Sequence, residues 1–180
     1  MKTAGSIFLV RHGETVENRQ RILQGHLPGT LTDEGVAQME RTAEALAERE
    51  VAACPIMVSD LQRTMLSADI IARRLGTTTI VPVRELRERD WGPYTGMPIS
   101  EARERFCRDG VWTLPGAETE DEIAERARRA LEMIRPQALE TGVVVVTHGL
   151  FARYLVAAHF GCNFREVTPL VNAEVRVLKV

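Results

Sequence analysis

Four short apolar runs rich in β-branched residues, at 7–10, 56–58, 80–83 and 143–146, recur along the chain with helical patterns between them. Such short runs read as strands. Strands of this kind alternating with helices define an α/β chain: a three-layer α/β/α sandwich around a mainly parallel central sheet. Residues 175–180 could add a last strand.

The helices between the runs announce their own ends. Thr32 stands as N-cap before Asp33 and Glu34, and Val36, Met39, Ala43 and Leu46 follow at helical spacing. A second pattern runs from about Leu61 through Met65, Ala68 and Ala72 to Leu75, with Gly76 placed to stop it. Thr119 and Glu122 form a capping box that opens a third helix carrying Ile123, Ala127, Ala130, Leu131 and Ile134; Pro136 should kink or end it. A fourth starts near Gly149, carries Leu150, Tyr154, Leu155 and Ala158, and stops at Gly161.

With 180 residues and no repeat, linker or shift in composition, the chain reads as one domain over 1–180. One segment stands apart. Between 90 and 116 periodicity is weak, and four of the nine aromatics, Trp91, Tyr94, Phe106 and Trp112, fall there. It reads as a small cap-like insertion, either over a pocket or around a satellite core of its own.

Charge and composition exclude several classes of function. Twenty-three basic against twenty-five acidic residues give a net charge of −2, without the basic excess of a nucleic-acid binder. No apolar run is long enough for a secretory leader or a membrane span, so the expected location is the cytoplasm, without membrane association. Cys54, Cys107 and Cys162 lie far apart and read as packing residues. Nothing in the sequence speaks to oligomeric state.

The chemistry gathers at strand ends. Phe8-Leu9-Val10 runs into Arg11-His12-Gly13, and Val144-Val145-Val146 into Thr147-His148-Gly149; a third strand ends at Ser59-Asp60, with Arg63 on the helix turn that follows. Ligands of open α/β sheets bind at the carboxyl ends of the strands, and glycine beside histidine admits backbone N–H groups to a ligand. Two histidines and two arginines converging there would suit a small dianion such as a phosphoryl group. Other chemistries lack their parts: the chain has no G-x-S-x-G elbow, Walker loop or G-x-G-x-x-G. His12, His26, His148 and His159 include no pair three or four residues apart, and the arginines around the first and third would repel a cation, so neither metal nor cofactor is expected.

Arg11-His12-Gly13-Glu14-Thr15 with Asn18 resembles the signature of the histidine phosphatase superfamily, the phosphoglycerate mutase-like proteins. The resemblance continues through Leu23-Gln24-Gly25, Leu31-Thr32 with Gly35, Ser59-Asp60-Leu61-Gln62-Arg63-Thr64, Leu86-Arg87-Glu88-Arg89-Asp90-Trp91-Gly92, Thr147-His148-Gly149 and Asn172-Ala173. It implies a phosphomonoester phosphatase for a small phosphorylated metabolite, with His12 as nucleophile forming a phosphohistidine and Glu88 as general acid and base. It further implies catalytic roles for Arg11, Arg63 and His148, and a substrate contact by Asn18, Gln24, Gly25, Arg89 and Gly149. The residues agree on the first point: imidazole attacks only when neutral, and neighbouring arginines both disfavour its protonation and offset the repulsion of a dianion. Glu88 by itself sits in an alternating charge run, whose usual meaning is a solvated face. Glu14 could tune the pocket or pair locally, and His26 stands in a loop whose side chains often face substrate.

Where many relatives carry Gly-x-Trp-Glu-Gly after the acid, this chain reads Gly92-Pro93-Tyr94-Thr95-Gly96, so one lid-side carboxylate is missing. The chain is also short beside the family's mutases, which favours a phosphatase. A phosphoglycerate mutase and a non-catalytic binder of phosphorylated ligands are the alternatives.

Overall fold

The computed structural model describes residues 3–49, 51 and 54–180. In chain order its elements are β1 (Ser6–Arg11), α1 (Val16–Arg19), α2 (Asp33–Glu48), β2 (Ile56–Val58), α3 (Gln62–Leu75), β3 (Ile80–Pro82), α4 (Ile99–Phe106), β4 (Cys107–Arg108), β5 (Val111–Trp112), α5 (Glu120–Glu140), β6 (Val143–Thr147), α6 (Gly149–Phe160) and β7 (Val175–Lys179). Five strands form the central sheet in the order β3-β2-β6-β1-β7, all parallel except β7, which runs antiparallel to β1 at the edge. The period of two sorts the strand residues between two cores. Ile7, Leu9, Val143 and Val145 face α5 and α6, while Phe8, Val10, Val144 and Val146 face α2 and α3. These are the two cores of a three-layer sandwich.

The helices begin and end largely where their caps predict. Thr32 accepts the N–H of Gly35, Thr119 and Glu122 form a reciprocal capping box, and Gly76 and Gly161 close α3 and α6 in the left-handed conformation. One expectation needs correction, and another is narrowed. Val36 is exposed and Gly35 occupies the buried face instead, because α2 packs so closely on the loop after β1 that a Cβ at 35 would lie 2.0 Å from the Glu14 carbonyl oxygen. Of the two outcomes expected at Pro136 an end is excluded: α5 runs on to Glu140, with Pro136 exposed and Ala138 buried two residues beyond. The carbonyl that proline leaves without a donor therefore lies on the solvent side, where water can serve it. Of the cysteines, Cys54 is buried, whereas Cys162 is exposed beyond α6 and is not part of the core.

The segment at 90–116 forms a small cluster and borders the cavity described below. Trp91, Ala102 and Leu114 join Leu23 in a small core apart from the main two. Its hairpin β4-β5 is a sheet apart from the central one, and Trp91 and Ile99 also line the cavity described below.

Candidate active site

Parallel pairing of β1 with β6 sets Arg11 opposite Thr147, so the next residues, His12 and His148, lie side by side. The His12 N–H donates to the Thr147 carbonyl at 3.0 Å, and the two ring centroids are 5.3 Å apart. His12 Nδ1 lies 2.7 Å from the Gly13 carbonyl oxygen, an acceptor only, so Nδ1 carries the hydrogen. Nε2 therefore presents its lone pair, and Arg63 Nε donates to it at 3.3 Å. Burial, then the charges of Arg63 and Arg11, hold the His12 pKa well below the usual histidine range, against the opposing pull of the Gly13 carbonyl. The site thus keeps a neutral imidazole whose Nε2 lone pair carries no proton. Glycine is required at 13 because a Cβ there would sit 2.4 Å from the Gly35 carbonyl oxygen.

Arg63, on the first turn of α3, is almost wholly buried. Its Nη2 donates to the Gly25 carbonyl at 2.9 Å and its Nη1 to that of Leu27, which fixes the plane of the guanidinium. Burial lowers its pKa to about 10, opposed by the charges of Glu88 and Glu17, and it stays a cation at neutral pH. Arg11 donates through Nη1 to the Leu170 carbonyl at 2.7 Å, and its buried Nε has no partner among the described residues. Gly149 admits it: a Cβ at 149 would lie 3.0 Å from Arg11 Cζ.

His148 is fully buried, with Nε2 against Ser59 Oγ at 2.8 Å and Nδ1 unpartnered. Burial and the charge of Arg63 keep it neutral as well. Asn18 closes the capping box of α1; its Oδ1 accepts from the Thr15 N–H and from Asn172 Nδ2, so its own amide N–H groups remain for a ligand. Asn172 Nδ2 also donates to the His12 carbonyl at 3.2 Å.

Glu88 is not on a solvated face. Its Oε1 accepts the N–H of Arg89 at 2.9 Å and of Phe151 at 3.0 Å, and its Oε2 accepts that of Leu150 at 3.1 Å. It caps α6 from a distance, where the N-cap residue His148 supplies no side-chain bond. A carboxylate has about four lone-pair sites, so one remains for a proton.

These groups share a cavity of about 250 Å³ lined by Arg11, His12, Asn18, Gln24, Arg63, Glu88 and Gly149, with Leu23, Trp91, Ile99 and Leu170 on its apolar side. Gln24 Oε1 is buried there without a partner. His148 stands beside His12 and does not line the wall. Gly25 contributes its carbonyl to Arg63 from a positive-φ turn. Arg89 is buried elsewhere, in a neighbouring cavity, with Nε on the Glu118 carbonyl. Glu14 pairs with Arg19 and Thr32, and His26 bonds the Glu88 carbonyl at 3.0 Å and lines a charged groove of about 890 Å³ that His12 does not reach. Asn172 was visible in the sequence only as part of a motif, while Ile99 and Leu170 carry no sequence mark of their own. Among the described residues, no group of three or more His, Cys, Asp or Glu is placed to hold a metal ion, and no helix is long and apolar enough to cross a membrane.

A neutral histidine beside a buried and a half-buried guanidinium group at the carboxyl edge of a parallel sheet defines a protein that handles phosphoryl groups. Residues 7–180 match the model of the histidine phosphatase superfamily (branch 1), and the chain belongs to that family. It is 34% identical to phosphoglycerate mutase-like protein 4 of Arabidopsis thaliana, over 97% of this chain and 79% of that one. It is 32% identical to the metal-independent phosphoserine phosphatase of the same plant, over 96% and 75%. Among solved structures, a mycobacterial glucosyl-3-phosphoglycerate phosphatase in complex with VO3 superposes with a TM-score of 0.85 at 25% identity, covering 98% of this chain and 93% of that one. Relatives named as phosphatases support a phosphoric monoester hydrolase.

Proposed function

We propose that this chain hydrolyses small phosphomonoesters through a phosphohistidine on His12. The observation that carries the reading is the pair of bonds on one ring: Nδ1–H to the Gly13 carbonyl and Nε2 toward Arg63. In this reaction His12 Nε2 attacks phosphorus and the ester oxygen departs, taking the proton that Glu88 holds. Water then attacks the phosphohistidine, gives its proton back to Glu88, and releases inorganic phosphate and free His12. Arg11, Arg63 and the Asn18 amide face the equatorial oxygens, where a loose phosphoryl transition state carries its charge. With these donors the reaction needs no metal or other cofactor.

The test is phosphate release from p-nitrophenyl phosphate in the presence of EDTA, by wild type and by His12→Ala. Turnover by wild type alone supports the proposal. Activity that vanishes in EDTA and returns with magnesium or zinc, or that survives in His12→Ala, contradicts it.

A further inference from the structure

Glu88 lies in the connection between β3 and α4, outside any strand or helix, yet the main chain around it is held at every step. The carbonyls of residues 85–88 each accept from a side chain. Thr147 Oγ1 donates to Leu86 at 2.7 Å, and Arg126 Nη1 to Glu85 at 2.8 Å and Arg87 at 2.7 Å. The Glu88 carbonyl takes two donors, His26 Nε2 at 3.0 Å and Arg126 Nη2 at 3.4 Å. Arg126, on α5, thus serves three of these four carbonyls.

Its other donors go to one carboxylate. Nε and Nη2 each meet Glu118 at 2.7 Å, so all five guanidinium N–H groups are used. Both side chains of the pair are only 14% exposed. Glu118 holds the residues just beyond: its Oε2 accepts the Asp90 N–H at 3.1 Å, its own N–H donates to the Asp90 carbonyl at 2.8 Å, and its carbonyl accepts Arg89 Nε at 2.7 Å. The Arg126 guanidinium also lies over the Phe151 ring, 4.4 Å from the centroid, and the Phe151 N–H is a donor to Glu88 Oε1. One side chain therefore grips both the backbone of Glu88 and the helix end that binds its carboxylate. A largely buried ion pair is weak support for stability, because desolvation offsets most of the attraction. What a fully used planar fork supplies is position. Proton transfer depends on position: a displacement of about 1 Å can cost about 10²-fold in rate.

We infer that Arg126 is a positioning residue for the general acid: oriented by Glu118, its guanidinium fixes the main chain of residues 85–88 and so sets the Glu88 carboxyl against the departing ester oxygen. The inference rests on the role proposed above for Glu88 and adds what holds that group in place.

The test varies the leaving group. Values of kcat/KM for n-alkyl phosphates, whose alkoxides need a proton to leave, are divided by that for p-nitrophenyl phosphate, whose phenolate does not. The ratio is measured in wild type, Glu88→Gln, Arg126→Lys, Arg126→Met and the Arg126→Met/Glu88→Gln double variant. A misplaced acid penalises the alkyl esters, whereas a general loss of folded protein scales all esters alike and leaves the ratio unmoved. Arg126→Lys keeps a cation opposite Glu118 but offers three donors on one atom in place of five in a plane, and should lower the ratio by about tenfold or more. Arg126→Met should lower it at least as far, without passing Glu88→Gln. The double variant should match Glu88→Gln alone, because a group that acts only through Glu88 has nothing left to place. A wild-type ratio in Arg126→Lys, or a double variant whose ratio falls below that of Glu88→Gln, overturns the inference and leaves the phosphatase reading intact. A wild-type ratio in Glu88→Gln itself removes the general acid from that reading, and the inference with it.

Discussion

Replacing Glu88 by glutamine separates the helix cap that the structure shows from the proton transfer proposed for the same carboxylate. The amide keeps its oxygen for the N–H groups of Arg89 and Phe151, but its NH2 then faces the Leu150 N–H, donor against donor. An orphaned N–H at the start of α6 costs about 1–3 kcal/mol, which in a chain of 180 residues lowers Tm by about 2 to 12 °C. The second job is proton transfer. Glutamine cannot release a proton to an alkoxide, so kcat/KM for an alkyl phosphate should fall by about 10² to 10⁴, the span of general acid catalysis. p-Nitrophenolate leaves without that help, and its ester should lose far less. The assay is the ratio of kcat/KM for the alkyl ester to that for p-nitrophenyl phosphate, in wild type and variant, beside thermal melts of both. A lower Tm with an unchanged ratio would make Glu88 a helix cap and nothing more. An unchanged Tm would refute the bonding described for α6.

Arg63→Lys should lower kcat/KM by about 10² or more, since an ammonium cannot hold the Gly25 and Leu27 carbonyls, touch His12 Nε2 and bind two phosphoryl oxygens at once; near wild-type kinetics would exclude a clamping role. Stability should fall as the pH drops below about 6.5. There the unfolded chain protonates its histidines while buried His12 and His148 stay neutral, so each contributes a slope of about 1.4 kcal/mol per pH unit until its own low pKa is reached. Denaturant midpoints of wild type and His12→Asn between pH 7 and 5 check this, and equal slopes would contradict it. Gly35→Ala must push α2 off the loop after β1, lowering stability by about 1–3 kcal/mol and reducing kcat with it, because the displaced loop carries Gly13, whose carbonyl holds His12; a melt and a rate at wild-type values would refute the close packing.

The frame of the site was legible because it depends on local pattern. β-branched runs mark strands wherever they pair, and a histidine directly after a strand has to stand at the sheet edge, so His12, His148 and Arg63 could be placed together before any geometry was known. The segment around Glu88 was not legible, because its charges look alike in sequence and find unlike partners in space. Arg87 pairs with Asp60, Glu88 caps α6, Arg89 turns into the neighbouring cavity, and Asp90 accepts the Gly92 N–H. Each partner lies in a different part of the fold or turn, and no periodicity encodes that. Val36 was misplaced for a related reason. Helical spacing finds a face but not which neighbour presses on it, and here a backbone contact favours Gly35 over Val36. Proline removes one helical hydrogen bond, and on the exposed face of α5 water can serve the carbonyl it leaves.

The central claim is that His12 Nε2 accepts the phosphoryl group. Rapid alkaline quenching during turnover of a radiolabelled phosphomonoester, followed by peptide mapping, should recover acid-labile label on His12, attached at Nε2 because Nδ1 is held by the Gly13 carbonyl. Label on Nδ1, or a burst of turnover that leaves His12 unlabelled, would contradict it.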